Sequence, residues 1–344
     1  MTERAGDAGS AERRVPGIRL LDEVLGYVVP AALRAVASCR VADHLAGGPL
    51  TAPELAAASG LDADALHRVL RLLATRGVFT EDPQGRFALT EEGRSLCGGE
   101  GGSLRDAVLM LTDPAFWDPA ARLDHCLRTG ESVFPEVFGR PFFDHFAKDP
   151  ATAAVFHDGM AAMSSVEDGP IADAYDFPAT GTVVDIGGGR GGFLAAALRR
   201  APGLTGVLHD RGHVLAGHRL AGEAALTGRW RTEKGDFFHA VPTGDLLVLK
   251  RILHDWQDDQ CVRVLSHCRR ALAPGGRVLI VDAVVRSDGR PHQAKDLDLL
   301  MMASLVGRER TREEFRTLFA AAGLRLNRVV DTPTVLSVVE AVAA

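Results

Sequence analysis

Residues 183–192 read Val-Val-Asp-Ile-Gly-Gly-Gly-Arg-Gly-Gly. A short apolar run stops at five glycines (Gly187, Gly188, Gly189, Gly191 and Gly192), and Phe193-Leu-Ala-Ala-Ala-Leu198 follows with a helical pattern. This is a buried strand, a tight turn and a helix N-terminus. Glycines there let the backbone take φ > 0 and let a ligand approach main-chain N–H groups that have no helical partner. The next acid at a strand end is Asp210, about twenty residues on, the spacing of a carboxylate that grips a ribose. The stretch points to a nucleotide-like cofactor without saying which one.

Downstream, apolar runs near 182–186, 205–209, 245–250, 277–283, 325–330 and 334–340 predict strands with helices between them. The fold class is therefore α/β, a Rossmann-like, doubly wound and mainly parallel sheet, over residues 177–344. Residues 101–176 read as mostly helical, a connector rich in phenylalanine that also offers pocket helices for a flat apolar substrate.

The residues before it look different. Ile18, Leu21, Val24, Leu25 and Val28, then Leu33, Val36, Ala37, Val41 and Leu45, have helical spacing, and Pro30 separates two helices or kinks one. Thr51-Ala-Pro-Glu54 starts a helix that Gly60 ends; Asp62 starts another that Gly77 closes. Val78-Phe-Thr80 and Arg86-Phe-Ala-Leu89 flank the turn Asp82-Pro-Gln-Gly85 as a hairpin. Two helices and a hairpin make residues 16–100 an N-terminal winged-helix-like dimerisation domain, behind a polar tail over 1–15 expected to be disordered.

A winged helix raises the question of DNA. From Thr51 to Leu96 there are five arginines and seven acids, and the whole chain of 344 residues carries a net charge of −6. Phosphate binding by counterion release needs a cationic face, so no nucleic-acid partner is expected. No apolar stretch is long enough to span a membrane, and the N-terminus has no apolar signal core. Five cysteines (Cys39, Cys97, Cys126, Cys261 and Cys268) include no Cys-x-x-Cys pair. They read as buried or free thiols rather than a metal site or disulfides, in keeping with a cytoplasmic protein.

The glycine turn alone fits a nicotinamide dinucleotide as well. Three features weigh against it. Asp185 sits inside the turn, where it would repel a pyrophosphate and suits a cationic or amino-bearing ligand. Gly235-Asp-Phe-Phe238 puts an acceptor beside a ring, a seat for an adenine amine and face. Leu246-Leu-Val-Leu-Lys-Arg-Ile-Leu-His-Asp-Trp256 runs a buried strand straight into charge and a histidine.

With these pieces in order, the chain resembles the class I S-adenosylmethionine-dependent O-methyltransferases of the plant caffeate and bacterial polyketide type, which include acetylserotonin-like members. The resemblance spans about residues 17–341. It is carried by the winged-helix module, Phe156-x-x-x-Met160-x-x-x-Ser164, Asp185-Ile-Gly-Gly-Gly189, Gly235-Asp-Phe-Phe, Leu249-Lys-x-x-Leu-His-Asp-Trp256, Leu272-Ala-Pro-Gly-Gly276 and Gly307-Arg-Glu-Arg-Thr311.

The resemblance implies S-adenosylmethionine as cofactor, a homodimer, and a small aromatic natural product as substrate, with no metal. Gly187, Gly189 and Asp185 would hold the methionine portion, with Ser164 near its carboxylate. Asp210 would bind the ribose, Asp236 and Phe237 the adenine, and Lys250 and Arg251 would lie beside the cofactor. His254 would be the general base: a neutral imidazole can take a phenol's proton as the C–O bond forms. Asp282 and Glu309 map onto the acids that orient such a histidine, with Glu309 expected to carry more of that role because Asp282 is a methylene shorter than the glutamate common in plant members. Asp255 follows the histidine directly, and its side chain is expected to point elsewhere. Phe156, Met160, Met301, Met302 and Asp255 are the candidate substrate contacts. Arg211-Gly212 departs from the plant Leu-Pro pattern, and His209 puts a polar ring before Asp210. Two rival readings remain: a relative that uses the cofactor for hydroxylation or another non-methylating reaction, and a winged-helix DNA-binding regulator.

Overall fold

The computed structural model of the chain describes residues 17–99 and 102–344; the tail expected over 1–15 lies outside them. Two compact units divide between Cys97 and Gly98.

In the first unit, helices Ile18–Leu25, Val28–Ser38 and Val41–Leu45 precede β1 (Leu50–Thr51). Pro30 sits in the first turn of the second helix, where a missing N–H costs nothing, so the break falls before it at Gly26-Tyr27. Thr51 and Glu54 form a reciprocal capping box on helix Ala52–Ser59, and Asp62 caps helix Ala63–Ala74 through the Ala65 amide. That helix buries Leu66, Leu70 and Leu73. The hairpin β2 (Phe79–Glu81) and β3 (Arg86–Leu89) is joined by β1, which pairs with β3 and makes a three-stranded sheet. The first helix leaves Leu20, Leu21, Val24 and Leu25 each at least 60% exposed on the isolated chain.

In the second unit, helices run from Arg105 to Ala174, ending in the long helix Pro150–Ala174, and then the sheet begins. Its strands are β4 (Gly181–Ile186), β5 (Leu204–Asp210), β6 (Trp230–Lys234), β7 (Gly244–Lys250) and β8 (Leu272–Val285). A two-residue strand, β9 (Arg310–Thr311), follows, then β10 (Leu324–Asp331) and β11 (Leu336–Ala343). The order is β10-β11-β8-β7-β4-β5-β6, with β9 added beside the end of β8. Strands β4 to β8 are parallel where they pair; β10 and β11 are antiparallel.

Strand β6 was not among the six expected. Its sequence, Trp-Arg-Thr-Glu-Lys, is that of an edge strand with few apolar residues, which gives no buried-strand signal. The last strand is displaced from 334–340 to Leu336–Ala343, because Thr332 to Val335 are taken up in the turn from β10.

Side-chain alternation fixes the layers. Val183, Leu246 and Val248 pack with Leu194 and Leu198 on one face of the sheet; Val184, Ile186, Leu247 and Leu249 pack with Phe315 and Phe319 on the other. Helices cover both faces, which is why the central strands are apolar throughout rather than alternating. The chain leaves β4 for β5 on one side and returns to β7 on the other. This reversal opens a crevice at the carboxyl ends of β4, β5 and β7, the usual ligand position in such sheets. Among the described residues no helix is long and apolar enough to cross a membrane, and no group of three or more His, Cys, Asp or Glu is placed to hold a metal ion.

Candidate active site

A cavity of about 1140 Å³ opens over this rim. Phe156, Met160, Ser164, Asp185, Gly187, Gly189, Asp210, Lys250, Arg251, His254, Asp255 and Met301 all line it.

The turn after β4 is built around missing side chains. Gly187 has φ +66°, and a Cβ there would lie 2.6 Å from the Ile252 side chain. A Cβ on Gly188 would lie 2.5 Å from the Asp185 carboxyl carbon. The turn is tied to the next strand twice: the Gly187 amide donates to the His209 carbonyl at 2.8 Å, and the Gly189 amide donates to Asp210 Oδ2 at 2.9 Å. Asp210 therefore stands at the turn before any ribose is considered.

Asp185 is buried, and neither of its oxygens accepts a well-formed hydrogen bond among the described residues. Burial, with the Asp168 charge nearby, pushes its pKa up to about 7 against the weaker pull of Lys250. A buried carboxylate served only by a weak contact from the Leu194 amide is costly. It suits a ligand that brings positive charge or N–H groups, as a sulfonium amino acid does.

The cations at the end of β7 are already engaged. Lys250 Nζ lies 2.7 Å from Asp168 Oδ1 and 3.3 Å from Glu167 Oε2, and donates to Ser164 Oγ at 3.0 Å. Arg251 forks onto Glu167, with Nη2 to Oε1 at 2.5 Å and Nε to Oε2 at 3.3 Å. Burial opposes the Glu167 charge, but Arg251 and then Lys250 hold its pKa below the usual range. Arg251 has φ +54°, a left-handed conformation that turns the chain out of β7 into the histidine segment. Sequence reasoning missed Glu167 and Asp168. They lie three and four residues after Ser164, on its face of the helix, which was the available signal.

His254 is buried in the short turn Leu253–Asp255. Its Nδ1 bonds Glu309 Oε1 at 2.8 Å, so in the neutral ring Nδ1 carries the proton, and Nε2 lies beside Asp255, at 3.4 Å from Oδ1. Burial opposes a charge on the ring, but Glu309, then Asp255 and Asp282, outweigh it and push its pKa up to about 9. Burial pushes Asp255 up to about 7 and Asp282 up to about 6, with His254 pulling both the other way.

Several expectations are corrected here. Asp282 is buried at the end of β8, yet neither of its oxygens has a hydrogen-bond partner among the described residues; its short side chain acts on His254 only through its charge. Asp255 does not point elsewhere: it faces both Nε2 and the cavity. Met302 does not line the cavity. Successive helical residues are about 100° apart, so with Met301 inward Met302 turns aside, and its carbonyl accepts from Cys126 Sγ. Asp236 is occupied locally, its Oδ1 accepting from the Phe238 amide at 2.9 Å. Asp236 and Phe237 lie outside the cavity lining, although the Phe237 ring comes within 3.5 Å of where a Gly187 Cβ would be. His209 donates from Nδ1 to the Glu233 carbonyl at 3.1 Å and packs under Gly235, within the sheet.

The remaining wall is apolar. Phe116, Phe142 and Phe156 meet Met110, Met160, Met163 and Met301 there, and Phe156 stacks on Phe116. Flat rings and thioethers make a slot for an aromatic guest. Cys126, Cys261 and Cys268 are buried free thiols.

Known proteins resemble both units of the chain. Residues 121–325 match the O-methyltransferase domain family, and residues 21–98 match the O-methyltransferase dimerisation domain. Phenazine O-methyltransferase PhzM of Lysobacter antibioticus is 41% identical over 94% of this chain and 95% of its own. The 2,7-dihydroxy-5-methyl-1-naphthoate 7-O-methyltransferase of Streptomyces carzinostaticus is 37% identical over 95% of this chain and 97% of its own. The crystal structure of CalO1, a methyltransferase in calicheamicin biosynthesis solved with S-adenosylhomocysteine bound, superposes with a TM-score of 0.90 at 49% identity, covering 95% of this chain and 98% of that one. The aclacinomycin 10-hydroxylase RdmB of Streptomyces purpurascens is 36% identical over 89% of this chain and 84% of its own. The chain belongs to the S-adenosylmethionine-dependent O-methyltransferase family.

Proposed function

We propose that this chain moves the methyl group of S-adenosylmethionine to a phenolic hydroxyl of an aromatic natural product, with His254 as the base. The observation that carries this reading is the His254–Glu309 bond at 2.8 Å, which commits Nδ1 and leaves Nε2 on the cavity side, next to a wall of phenylalanine and methionine.

When bound, the cofactor supplies a methyl carbon already activated by a sulfonium. What is left to the chain is alignment and removal of one proton. Residues 187–189 and Asp210 would hold the donor at the rim, Asp185 would offset its positive charge, and Ser164 and Lys250 would serve its carboxylate. The aromatic wall aligns the acceptor ring. Nε2 takes the hydroxyl proton, and Glu309, with Asp255 and Asp282, stabilises the imidazolium that results. The exposed face of helix Ile18–Leu25 would be covered by a second copy of the chain, giving a homodimer.

The test is incubation with methyl-labelled cofactor and a set of hydroxyarenes that includes 2,7-dihydroxy-5-methyl-1-naphthoate. Label in an aryl methyl ether is expected; a product that has gained oxygen instead of a methyl group would favour the hydroxylation reading. In His254→Ala, turnover should fall by about 10²–10⁴-fold while calorimetry shows unchanged cofactor binding. Near-normal turnover in that variant would remove His254 from the base role.

A further inference from the structure

The segment Gly307–Arg310 lies directly across the turn that carries His254. A Cβ on Gly307 would sit 1.9 Å from the His254 carbonyl oxygen, so the two backbones touch. Two residues on, Glu309 reaches Nδ1, and the Glu309 amide is itself held by Asp298 Oδ1 at 3.0 Å. Arg310 is 1% exposed, among the largest fully buried side chains of the fold.

A buried guanidinium must find acceptors for its five N–H groups. Arg310 Nη1 donates to the Leu253 carbonyl at 2.8 Å and to the Arg308 carbonyl at 3.5 Å. Nη2 donates to the Trp256 carbonyl at 2.8 Å and to Asp258 Oδ1 at 2.8 Å, and Nε reaches the same oxygen at 3.1 Å. Leu253 and Trp256 are the residues on either side of His254-Asp255. The backbone of Arg310 is fixed in turn, because β9 pairs it with Val284 at the end of β8.

We infer that Arg310 is a positioning residue for methyl transfer: its guanidinium pins both ends of the His254-Asp255 turn to the strap that carries Glu309, so that the imidazole and its orienting acid move as one unit. A lysine keeps the charge but has no planar fork to hold the two carbonyls in fixed geometry. The inference rests on His254 being the base.

The experiment compares full-length wild type with Arg310→Lys. The His254 ring is titrated by NMR, its signal assigned by loss in His254→Gln. The groups that face the ring are Glu309 from the strap, Asp255 from its own turn and Asp282 from β8, with Arg251 beyond them. If the strap loosens, the Glu309 contact lengthens, and the pKa of His254 should fall by about one unit. On the hydroxyarene set kcat should fall on the order of 10²-fold, with cofactor affinity unchanged. Wild-type titration in a folded Arg310→Lys overturns the inference. So does a shifted titration with undiminished kcat, or a loss of kcat matched by loss of cofactor affinity. Should Arg310→Lys not fold, Asp258→Asn takes its place, removing the half-exposed anchor of the guanidinium; a smaller downward shift supports the strap and none overturns it. Turnover surviving in His254→Ala would sink the base reading itself, whereas an inert His254→Ala beside a normally titrating Arg310→Lys sinks the strap alone.

Discussion

Two groups of buried acids stand at the same cavity, reaching it through Asp168 and Asp185 in one and Asp255 in the other, and they are built differently. At the cofactor end, Glu167 and Asp168 meet Lys250 and Arg251 in close ion pairs, and of the three acids there only Asp185 lacks a cation in contact. At the other end, Asp255, Asp282 and Glu309 surround one imidazole. In the first group Arg251 and Lys250 hold Glu167 below its usual range despite burial, while burial pushes Asp168 and Asp185 up. In the second, burial pushes Asp255 and Asp282 up, and Glu309, Asp255 and Asp282 together push His254 up against its own burial. Paired charges make a rigid seat for a charged ligand. Protons held near neutrality are what acid–base work needs.

The largest effect should come from the cofactor end. Gly187→Val demands a left-handed backbone of a β-branched residue and drives its side chain into Ile252. Cofactor binding by calorimetry should be lost in a variant whose circular dichroism is that of wild type. Retained affinity would mean that the turn is not the seat. Next is Glu309→Gln, which keeps an acceptor for Nδ1 and removes a charge. Turnover should drop on the order of 10²-fold, about 2.7 kcal/mol of barrier. Its pH profile sharpens the comparison. A base works when neutral, so with His254 at about 9 in the free protein, kcat/KM should rise with pH toward that value. Without the Glu309 charge the rise should move to lower pH. By linkage, the raised pKa of His254 adds stability that is complete below its unfolded value of about 6.5 and is lost as pH climbs through about 9. The smallest effect is expected from Asp282→Asn. It gives up no hydrogen bond, so the acid limb should move down less than in Glu309→Gln, with kcat little changed. A loss as large as that of Glu309→Gln would show that Asp282 orients the ring after all.

Much of the fold could be read locally. The capping boxes at Thr51 and Thr311, the Asp62 cap and the glycine turn at 187–192 are each decided within four or five residues. The central strands announce themselves because both of their faces are buried. Strand β6 does not, because half of it faces water. In the site, strand ends placed Asp185, Asp210, Lys250 and His254 on one rim, and motif order brought Glu309 toward His254. Glu167 and Asp168 went unseen because their one local mark, a place on the face of Ser164, does not tell that they are buried against Lys250 and Arg251.

By itself the sequence determined the doubly wound sheet, the glycine turn and the place of His254 just after a strand end, because hydrophobic period, turn chemistry and motif spacing are short-range properties. Tertiary structure alone decided the contacts. Glu309 meets His254 across 55 residues and Glu167 meets Arg251 across 84. Met301 faces the cavity while Met302 does not, and Arg310 gathers two carbonyls that the chain places three residues apart. Those outcomes depend on how β8, β9 and the helices pack, and a buried charge takes whichever partner that packing brings within reach.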